Sequence, residues 1–388
     1  MFHVGIDISK SKHDCFITTT AGVKITAFTF KNDYDGFQSL KEALTSLGNS
    51  NQIKIGFEST GHYGTNLKSF ISNLGYTYLE FNPQLTSQFA RATSLRRTKT
   101  DKIDAKLIAT MLGSVDYETL RIQFYHTNEL KELVRARDKY LMARSKELVK
   151  LTNVLDKSFP EFKPFFNNIF SITAIYILKT YTTKEKISKL TNKHHETLHN
   201  LSRGRLTYAK FSNLRSLASK SIGLSSESYT FLIKIIINEY ERLSKVISDL
   251  ELRIKELYDK TDSLIHTIPG VGITTAATIY AEINNINNFS NPNKLIAFAG
   301  LDVSINQSGN KETFGKIVKR GSSLLRKTIY VYSLSSLKFI PKFHDYYHKK
   351  KAEGKHHKVI LTHISRKLIR MIYHMEFNKV SFNINKIS

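Results

Sequence analysis

Residues His3–Ile8 alternate between two faces: Val4, Ile6 and Ile8 fall on one, His3, Gly5 and Asp7 on the other. A period of two is the mark of a β-strand. It sets the carboxylate of Asp7 in mid-strand among apolar neighbours. Such a carboxylate is unfavourable unless it is paired or holds a cation. Any fold for this chain must therefore bring compensation to that face of its first strand.

Cys15–Thr19 and Val23–Lys31 read as two further strands, joined by a turn at Ala21-Gly22. Asp33 or Asp35 caps a helix with Phe37, Leu40, Leu44 and Leu47 on its buried face. Gln52–Glu58 is a strand with Ile53, Ile55 and Phe57 inward and Glu58 at its C-terminal end. A helix near Gly64–Leu74 and a strand at Tyr76–Phe81 follow. Three strands, helix, strand, helix, strand and then helices is the order of an RNase H-like α/β domain, placed here at residues 1–120.

The next segment, 121–262, reads as long helices with an insertion at about 159–225. Leu130, Val134, Arg137, Leu141, Arg144, Leu148, Leu151 and Leu155 alternate steps of four and three, and two arginines interrupt that seam. Ile233, Ile236, Tyr240, Leu243, Ile247, Leu250, Ile254 and Leu257 hold a period of 3.5, as in a coiled coil. These helices pair either between two copies of the chain or with each other as a hairpin. Between them, Phe159–Ser225 is basic and polar.

From Asp262 the pattern changes again. Residues 263–345 read as a mainly helical domain, and 346–388 as a basic, His-rich tail, helical in part. The turn IPGVG precedes a helix at Ile273–Ile283 and resembles the hairpin of helix-hairpin-helix modules. There, Gly270 and Gly272 would let backbone N–H groups approach a phosphate. A plain turn between helices is the other reading. Asn291-Pro292 opens a short helix ending at Gly300, Asp302–Gly309 reads as a glycine- and serine-rich loop, and a helix runs from about Ser322 to Leu337.

Four acids stand out by position. If the strands of Asp7 and Glu58 are parallel neighbours, both carboxylates meet at the open end of the sheet, where α/β sites lie. Asp101 and Asp104 are three apart at a helix start and share one face. Four carboxylates can hold two divalent cations roughly 3.5–4 Å apart for in-line displacement at phosphorus. Oxygen-only ligands favour Mg²⁺ or Mn²⁺. Taken singly, each acid has a plainer role: Asp101 as a helix cap, Asp104 as a first-turn partner of the helix dipole, Glu58 as a surface acid.

The chain of 388 residues carries 58 Lys plus Arg against 33 Asp plus Glu, a net charge of +25. A surplus spread along the whole chain calls for a polyanion in a long groove, with nucleic acid the first choice and an acidic membrane surface the runner-up. No stretch nears the roughly 20 apolar residues that span a bilayer, and nucleic acid rather than a membrane is the expected partner. The N-terminus does not read as a signal peptide. Cys15 is the sole cysteine, which excludes intramolecular disulfides and thiolate metal sites and suits a reducing cytoplasm. His195 and His199 match the zinc-protease spacing HExxH, but a basic, short setting without a third ligand reads as a solvated helix.

GIDISK, FESTGHY and RRTKTDKIDAKLIA, followed by IPGVGITTAATIYAEI, LIAFAGLDVSINQSG and GKIVKRGSSLLRKTIY, carry a resemblance. They look like the motifs of insertion-sequence transposases of the IS-one-ten family, the DEDD, Piv-like type of bridge-RNA-guided recombinase. The resemblance covers about residues 1–115 and 262–340. It implies an RNase H-like (RuvC-like) domain with Asp7, Glu58, Asp101 and Asp104 as catalytic metal ligands, and a C-terminal transposase domain with a nucleophilic serine. The position that matches is Ser308, with Ser304 as second choice. Lys311, Lys316, Lys319, Arg320 and Arg326 follow closely, and a serine attacking a phosphodiester needs such cations.

The expected function is therefore a DNA transposase or site-specific recombinase acting on donor and target DNA. The resemblance further implies a structured guide RNA, the bridge RNA, and a homodimer assembling to a tetramer in the prokaryotic cytoplasm, at the nucleoid. The alternatives are a Holliday-junction or other structure-specific nuclease that uses the acids alone, and a non-catalytic nucleic-acid-binding protein.

Overall fold

The computed structural model describes residues 1–59, 61–81, 83–93, 100–114, 129–308 and 311–384, with the backbone alone at His62, Gln84, Ser114, 304–308 and 311–316. The chain forms two compact units, Met1–Asn128 with Asn285–Asn291, and Glu129–Asn284 with Pro292–Ser388.

In the first unit the expected alternation becomes a sheet. Strands β1 (Phe2–Ile8), β2 (Lys12–Thr19) and β3 (Lys24–Lys31) form an antiparallel meander. The second strand starts earlier than its apolar pattern suggests, because antiparallel pairing carries it on to His13 opposite Ile8. Helix α1 (Tyr34–Thr45) is capped by Asp33, whose side chain accepts from Gly36 N at 2.9 Å. Strand β4 (Ile53–Glu58) lies parallel to β1, helix α2 (Thr65–Asn73) follows, and strand β5 (Tyr78–Phe81) lies parallel to β4. The strand order is β3-β2-β1-β4-β5, consistent with the RNase H-like domain expected.

The inward residues of β1 and β4, Val4, Ile6, Ile55 and Phe57, pack with Leu40 and Leu44 of α1 and Leu67 and Ile71 of α2. All are essentially without solvent contact, so this face is the hydrophobic core of the unit. The opposite face receives α3 (Pro83–Thr93) and α4 (Asp101–Ser114), through Leu79, Phe81, Ile108, Met111 and Leu112.

The second unit is almost wholly helical. Helices α5 (Glu129–Ser158) and α11 (Glu227–Tyr258) run antiparallel, tied by Arg253 to Glu129 at 2.9 Å, Arg137 to Glu251 at 2.5 Å and Arg144 to Ser244 at 3.4 Å. The two seams therefore pair with each other inside one chain. The arginines that interrupt the first seam face polar or acidic partners on the second helix.

Between the long helices lie α6 (Phe162–Phe165), α7 (Ile172–Thr180), α8 (Lys184–Ser188), α9 (Asn192–Leu201) and α10 (Tyr208–Lys220). Ser171, Thr183 and Thr207 cap three of them. Phe162, Ile177, Leu198, Phe211 and Leu214 form a core with Leu151 and Leu155 of α5 and Ile233 and Ile237 of α11. The insertion is thus a packed helical module. His195 and His199 belong to its structure: the His199 ring meets the Leu206 carbonyl at 3.1 Å.

The C-terminal part holds α12 (Ile273–Ile283), α13 (Pro292–Phe298), strands β6 (Val303–Ser308) and β7 (Lys311–Ile317), then α14 (Ser323–Phe339), α15 (Pro341–Ala352) and α16 (His357–Asn378). Two expectations change here. Within the segment Asp302–Gly309, read as a loop, Val303–Ser308 forms β6, which pairs antiparallel with β7 and sets Ser308 opposite Lys311. The stretch 346–388, read as a basic tail, contains α16, which buries Ile360, Leu361, Ile364, Leu368, Ile369 and Ile372. Among the described residues no helix is long and apolar enough to cross a membrane.

Candidate active site

The outward face of β1 carries His3, Gly5 and Asp7. Gly5 lies beside Gly56 of β4 in the parallel register, and Ile6 beside Phe57, so Asp7 and Glu58 come next in line at the C-terminal ends of their strands. Helix α4 lies directly on the two glycines. A Cβ on Gly5 would stand 2.2 Å from the Ala105 carbonyl oxygen, and one on Gly56 2.7 Å from a Leu112 methyl. Further along, Gly113 approaches the His3 ring. The helix therefore runs antiparallel to β1, and its first turn, with Asp101 and Asp104, reaches toward Asp7.

Thr100 starts that helix: Ile103 N donates to its hydroxyl at 3.3 Å, and Asp104 N to its carbonyl at 3.0 Å. The capping role open to Asp101 thus belongs to Thr100. Asp101 is exposed and Asp104 half-buried on the first turn.

The acids act on one another. Burial, and then the charges of Asp104, Asp101, Glu58 and Asp14, push the Asp7 carboxyl up to about 6. Asp7 is thus the point where the negative charge of the other three expected site acids, and of Asp14, gathers. Among the described residues, no three acid, histidine or cysteine side chains meet closely enough to clasp an ion as they stand. The acids lie in electrostatic reach of Asp7 rather than in ligand contact. An all-oxygen set whose central carboxyl is raised by like charge nonetheless fits a hard divalent cation, which would relieve that repulsion.

Two residues of this site went unread in the sequence. Asp14 pairs opposite Asp7 across β1 and β2, is buried, and accepts from the Thr29 hydroxyl at 2.5 Å. Its strand was visible, but nothing local marked the register. Thr86, on α3 and buried, donates to Glu58 Oε2 at 2.7 Å and so fixes one carboxylate oxygen. No sequence signal marks such a threonine.

Ser308 ends β6 and Ser304 lies within it, both with backbone alone described. The base of the hairpin is anchored: Val318 N donates to the Asp302 carbonyl at 2.9 Å, and Ser322 N to the Phe298 carbonyl at 2.8 Å. Lys311 and Lys316 are on β7, and Lys319 and Arg320 are exposed just beyond it. Arg326 is partly engaged in structure, donating to the carbonyls of Ala299 at 3.1 Å and Lys319 at 3.3 Å. Gly270 and Gly272 are both exposed in the turn before α12. Gly270 has φ +80, and a Cβ there would strike the Phe339 ring at 2.2 Å, so packing alone demands that glycine.

A third unread group braces this domain. Glu282 of α12 has no solvent exposure and accepts from Arg135 Nε at 2.7 Å and from the Ser322 hydroxyl at 2.7 Å. Ser322 also caps α14. Burial works to raise the Glu282 carboxyl, but hydrogen bonds from Arg135 and Ser322 and the charges of Arg135 and Lys131 hold it below its ordinary value.

Residues 4–160 match a DEDD family of IS110 type described as "Transposase", and residues 262–348 match the "Transposase IS116/IS110/IS902 family". The chain is 34% identical over 112 residues to the transposase for insertion sequence element IS1111A of Coxiella burnetii, covering 28% of this chain and 30% of that one. It is 23% identical to the pilin gene-inverting protein of Moraxella lacunata over 96% of this chain and 94% of that protein. It is 19% identical to the mini-circle putative transposase for IS117 of Streptomyces coelicolor, over 95% and 92%.

Proposed function

The chain carries both domains of the IS110-family transposases, in order, and belongs to that family of DNA-rearranging enzymes; we propose that it cuts and rejoins DNA strands with an acidic tetrad and a serine nucleophile. One observation carries the reading. The two glycines let α4 lie close on β1 and β4, so that Asp101 and Asp104 add their charge to that of Glu58 on Asp7 at one end of the sheet.

Asp7, Glu58, Asp101 and Asp104 would hold Mg²⁺ or Mn²⁺. When bound, such an ion neutralises phosphate charge and lowers the pKa of a coordinated hydroxyl. Thr86 keeps Glu58 in one orientation, and α4 carries the two aspartates as a unit. Ser308 Oγ attacks phosphorus, the bond from phosphorus to the displaced sugar oxygen breaks, and the serine proton leaves to solvent or a nearby base. The displaced oxygen gains a proton. One phosphoester replaces another, so the attack of a new hydroxyl on phosphoserine reverses the step and seals the strands. Lys311, Lys316, Lys319 and Arg320 stabilise the charge that grows on the phosphate oxygens.

The substrates are donor and target DNA, selected with a structured guide RNA. A homodimer that assembles to a tetramer brings the acids of one copy to Ser308 of another. The net charge of +25 supports a chain that holds both nucleic acids.

The test is covalent trapping. A target nicked so that it cannot rejoin should leave a denaturation-resistant protein–DNA adduct that needs divalent cation and maps to Ser308. Ser308→Ala should eliminate adduct and strand exchange while DNA binding persists. Label on Ser304 would move the nucleophile and keep the mechanism. Cleavage that needs Asp7 and Glu58 but never yields an adduct would establish a nuclease instead.

A further inference from the structure

The helical insertion lies outside both family matches, which end at residue 160 and resume at residue 262. Where it meets the long helices there is an open groove of about 860 Å³. Its floor is aromatic. Phe170 lies against Tyr240 of α11 with ring centroids 4.7 Å apart and planes tilted by 37°. Phe166 is held from behind by Phe162 at 4.7 Å and Phe165 at 4.8 Å. Phe166, Phe170 and Tyr240 are each half-buried, so each ring rests on the module and keeps part of its surface open.

The rim is basic. Arg144 of α5 lies 5.7 Å from the centre of the Tyr240 ring, and exposed Lys163 faces the same groove. No carboxylate lines the groove among the described residues. Arg144 donates to the Ser244 hydroxyl at 3.4 Å, a long bond that leaves its charge uncancelled. Asn168 spends its Oδ1 on Phe170 N at 2.9 Å, so its amide NH₂ remains to donate.

Half-open aromatic faces, two cations and an amide donor on one acid-free groove are the parts of a single-strand nucleic-acid site. Aromatic rings stack on any base, and cations follow the backbone. A duplex hides its base faces and cannot use the rings. We propose that this groove binds an unpaired stretch of nucleic acid, one base stacking on Phe170 or Tyr240 while Arg144 and Lys163 meet the flanking phosphates. The inference rests on the reading that this chain handles nucleic acid. It adds a site for unpaired strand on the insertion, apart from the acids and from Ser308.

The probes are fluorescein-labelled oligouridine and oligothymidine of about twelve nucleotides and a duplex of the same length, titrated against the full chain by anisotropy. Lys163→Glu changes an exposed residue and should weaken single-strand binding roughly tenfold, with duplex binding nearly unchanged. Phe170→Ala should do the same without a change in salt slope, since it removes stacking and no charge. Iodouridine cross-linking should label Phe170, Tyr240 or Phe166. Comparing the two oligomers tells whether the strand is RNA or DNA. Equal single-strand affinity for wild type, Lys163→Glu and Phe170→Ala, or cross-links only elsewhere, overturns the groove and leaves the transposase reading intact. Absence of binding to any of the three probes would sink both. Asp7→Asn should keep the cross-link, which separates this site from the catalytic one.

Discussion

Gly5 of β1 stands beside Gly56 of β4, and α4 rests on both. The contacts differ in kind. Above Gly5 the neighbours are the backbone atoms of Ala105 and Ala109, whereas above Gly56 they are side chains of Leu112 and Phe81. Each glycine precedes a site acid by two residues, so the face that must be bare for the helix is the face that carries Asp7 and Glu58. One packing requirement thus brings Asp101 and Asp104 of α4 into electrostatic reach of Asp7.

Alanine at these two positions should not cost the same. Gly5→Ala must displace a helix backbone, and overpacking of this kind costs about 1–3 kcal/mol. Gly56→Ala needs only a rotation of Leu112 and should fall at the low end of that range. Urea unfolding of each variant checks the order. Equal losses would mean that α4 does not lie rigidly on β1. Strand cleavage should fall further than stability in Gly5→Ala, because the shift moves Asp101 and Asp104.

The Asp7 carboxyl, pushed up to about 6, predicts a pH dependence of stability. The folded protein holds a proton there that the unfolded chain has already released. Stability therefore falls as pH rises from the ordinary aspartate value toward 6, and the full loss persists above it. Asp7→Asn removes the repulsion. In chelator near pH 7.5 it should be more stable than wild type by on the order of 1–2 kcal/mol, after allowance for partial exposure. The difference should vanish near pH 3, and Mg²⁺ should raise the melting temperature of wild type alone. A less stable Asp7→Asn at pH 7.5 would contradict the gathered charge. Loss of activity with gain of stability is the usual signature of such a site.

The sheet was legible because its signals are local. Period-two alternation fixed β1, β3 and β4 nearly to the residue, and Asp33 marked the start of α1. The four acids stood out in the sequence by position, but the approach of Asp101 and Asp104 to Asp7 rests on Gly5 and Gly56, whose bareness is a tertiary fact. The β6–β7 hairpin was read as a loop, although Val303 and Ile305 alternate and Gly309-Asn310 is a hairpin turn signal. The basic tail was read as helical in part; what its lysines masked is that the apolar face of α16 is buried. Thr86, Asp14 and the partners of Glu282 are far from them in sequence, and no local pattern could join them.

Glu282 ties α5, α12 and the cap of α14 through Arg135 and Ser322. Because its carboxyl is held below its ordinary value, its contribution is full above the unfolded carboxylate value and is lost as pH falls through the folded one. Glu282→Gln should unfold at lower denaturant at neutral pH, by about 2–4 kcal/mol, since it breaks a buried charged pair. The gap should narrow as the wild type is acidified. A pH-independent gap would show that shape, and not charge, holds the three elements.

Assembly gives the last prediction. Ile247 is 3% exposed, because the seam of α11 is filled by α5 of the same chain. Ile247→Asp should therefore unfold the helical pair rather than split an oligomer, and should lower stability by several kcal/mol, about 3 or more. A second copy must use what the hairpin leaves outside. On α5, Met142 and Val149 are 55% and 60% exposed and two turns apart, on one face. On α11, Phe231 and Ile235 are exposed one turn apart. Exposed apolar residues repeated along a helix mark a contact face. Met142→Lys combined with Val149→Lys should leave the melting temperature nearly unchanged, as surface substitutions do. If two copies meet along α5, the mass by light scattering should fall toward that of one chain, and strand exchange should be lost while DNA binding remains. An unchanged mass with Met142→Lys and Val149→Lys, repeated with Phe231→Lys and Ile235→Lys, would remove both helices from the assembly. The acids and Ser308 would then have to meet without it.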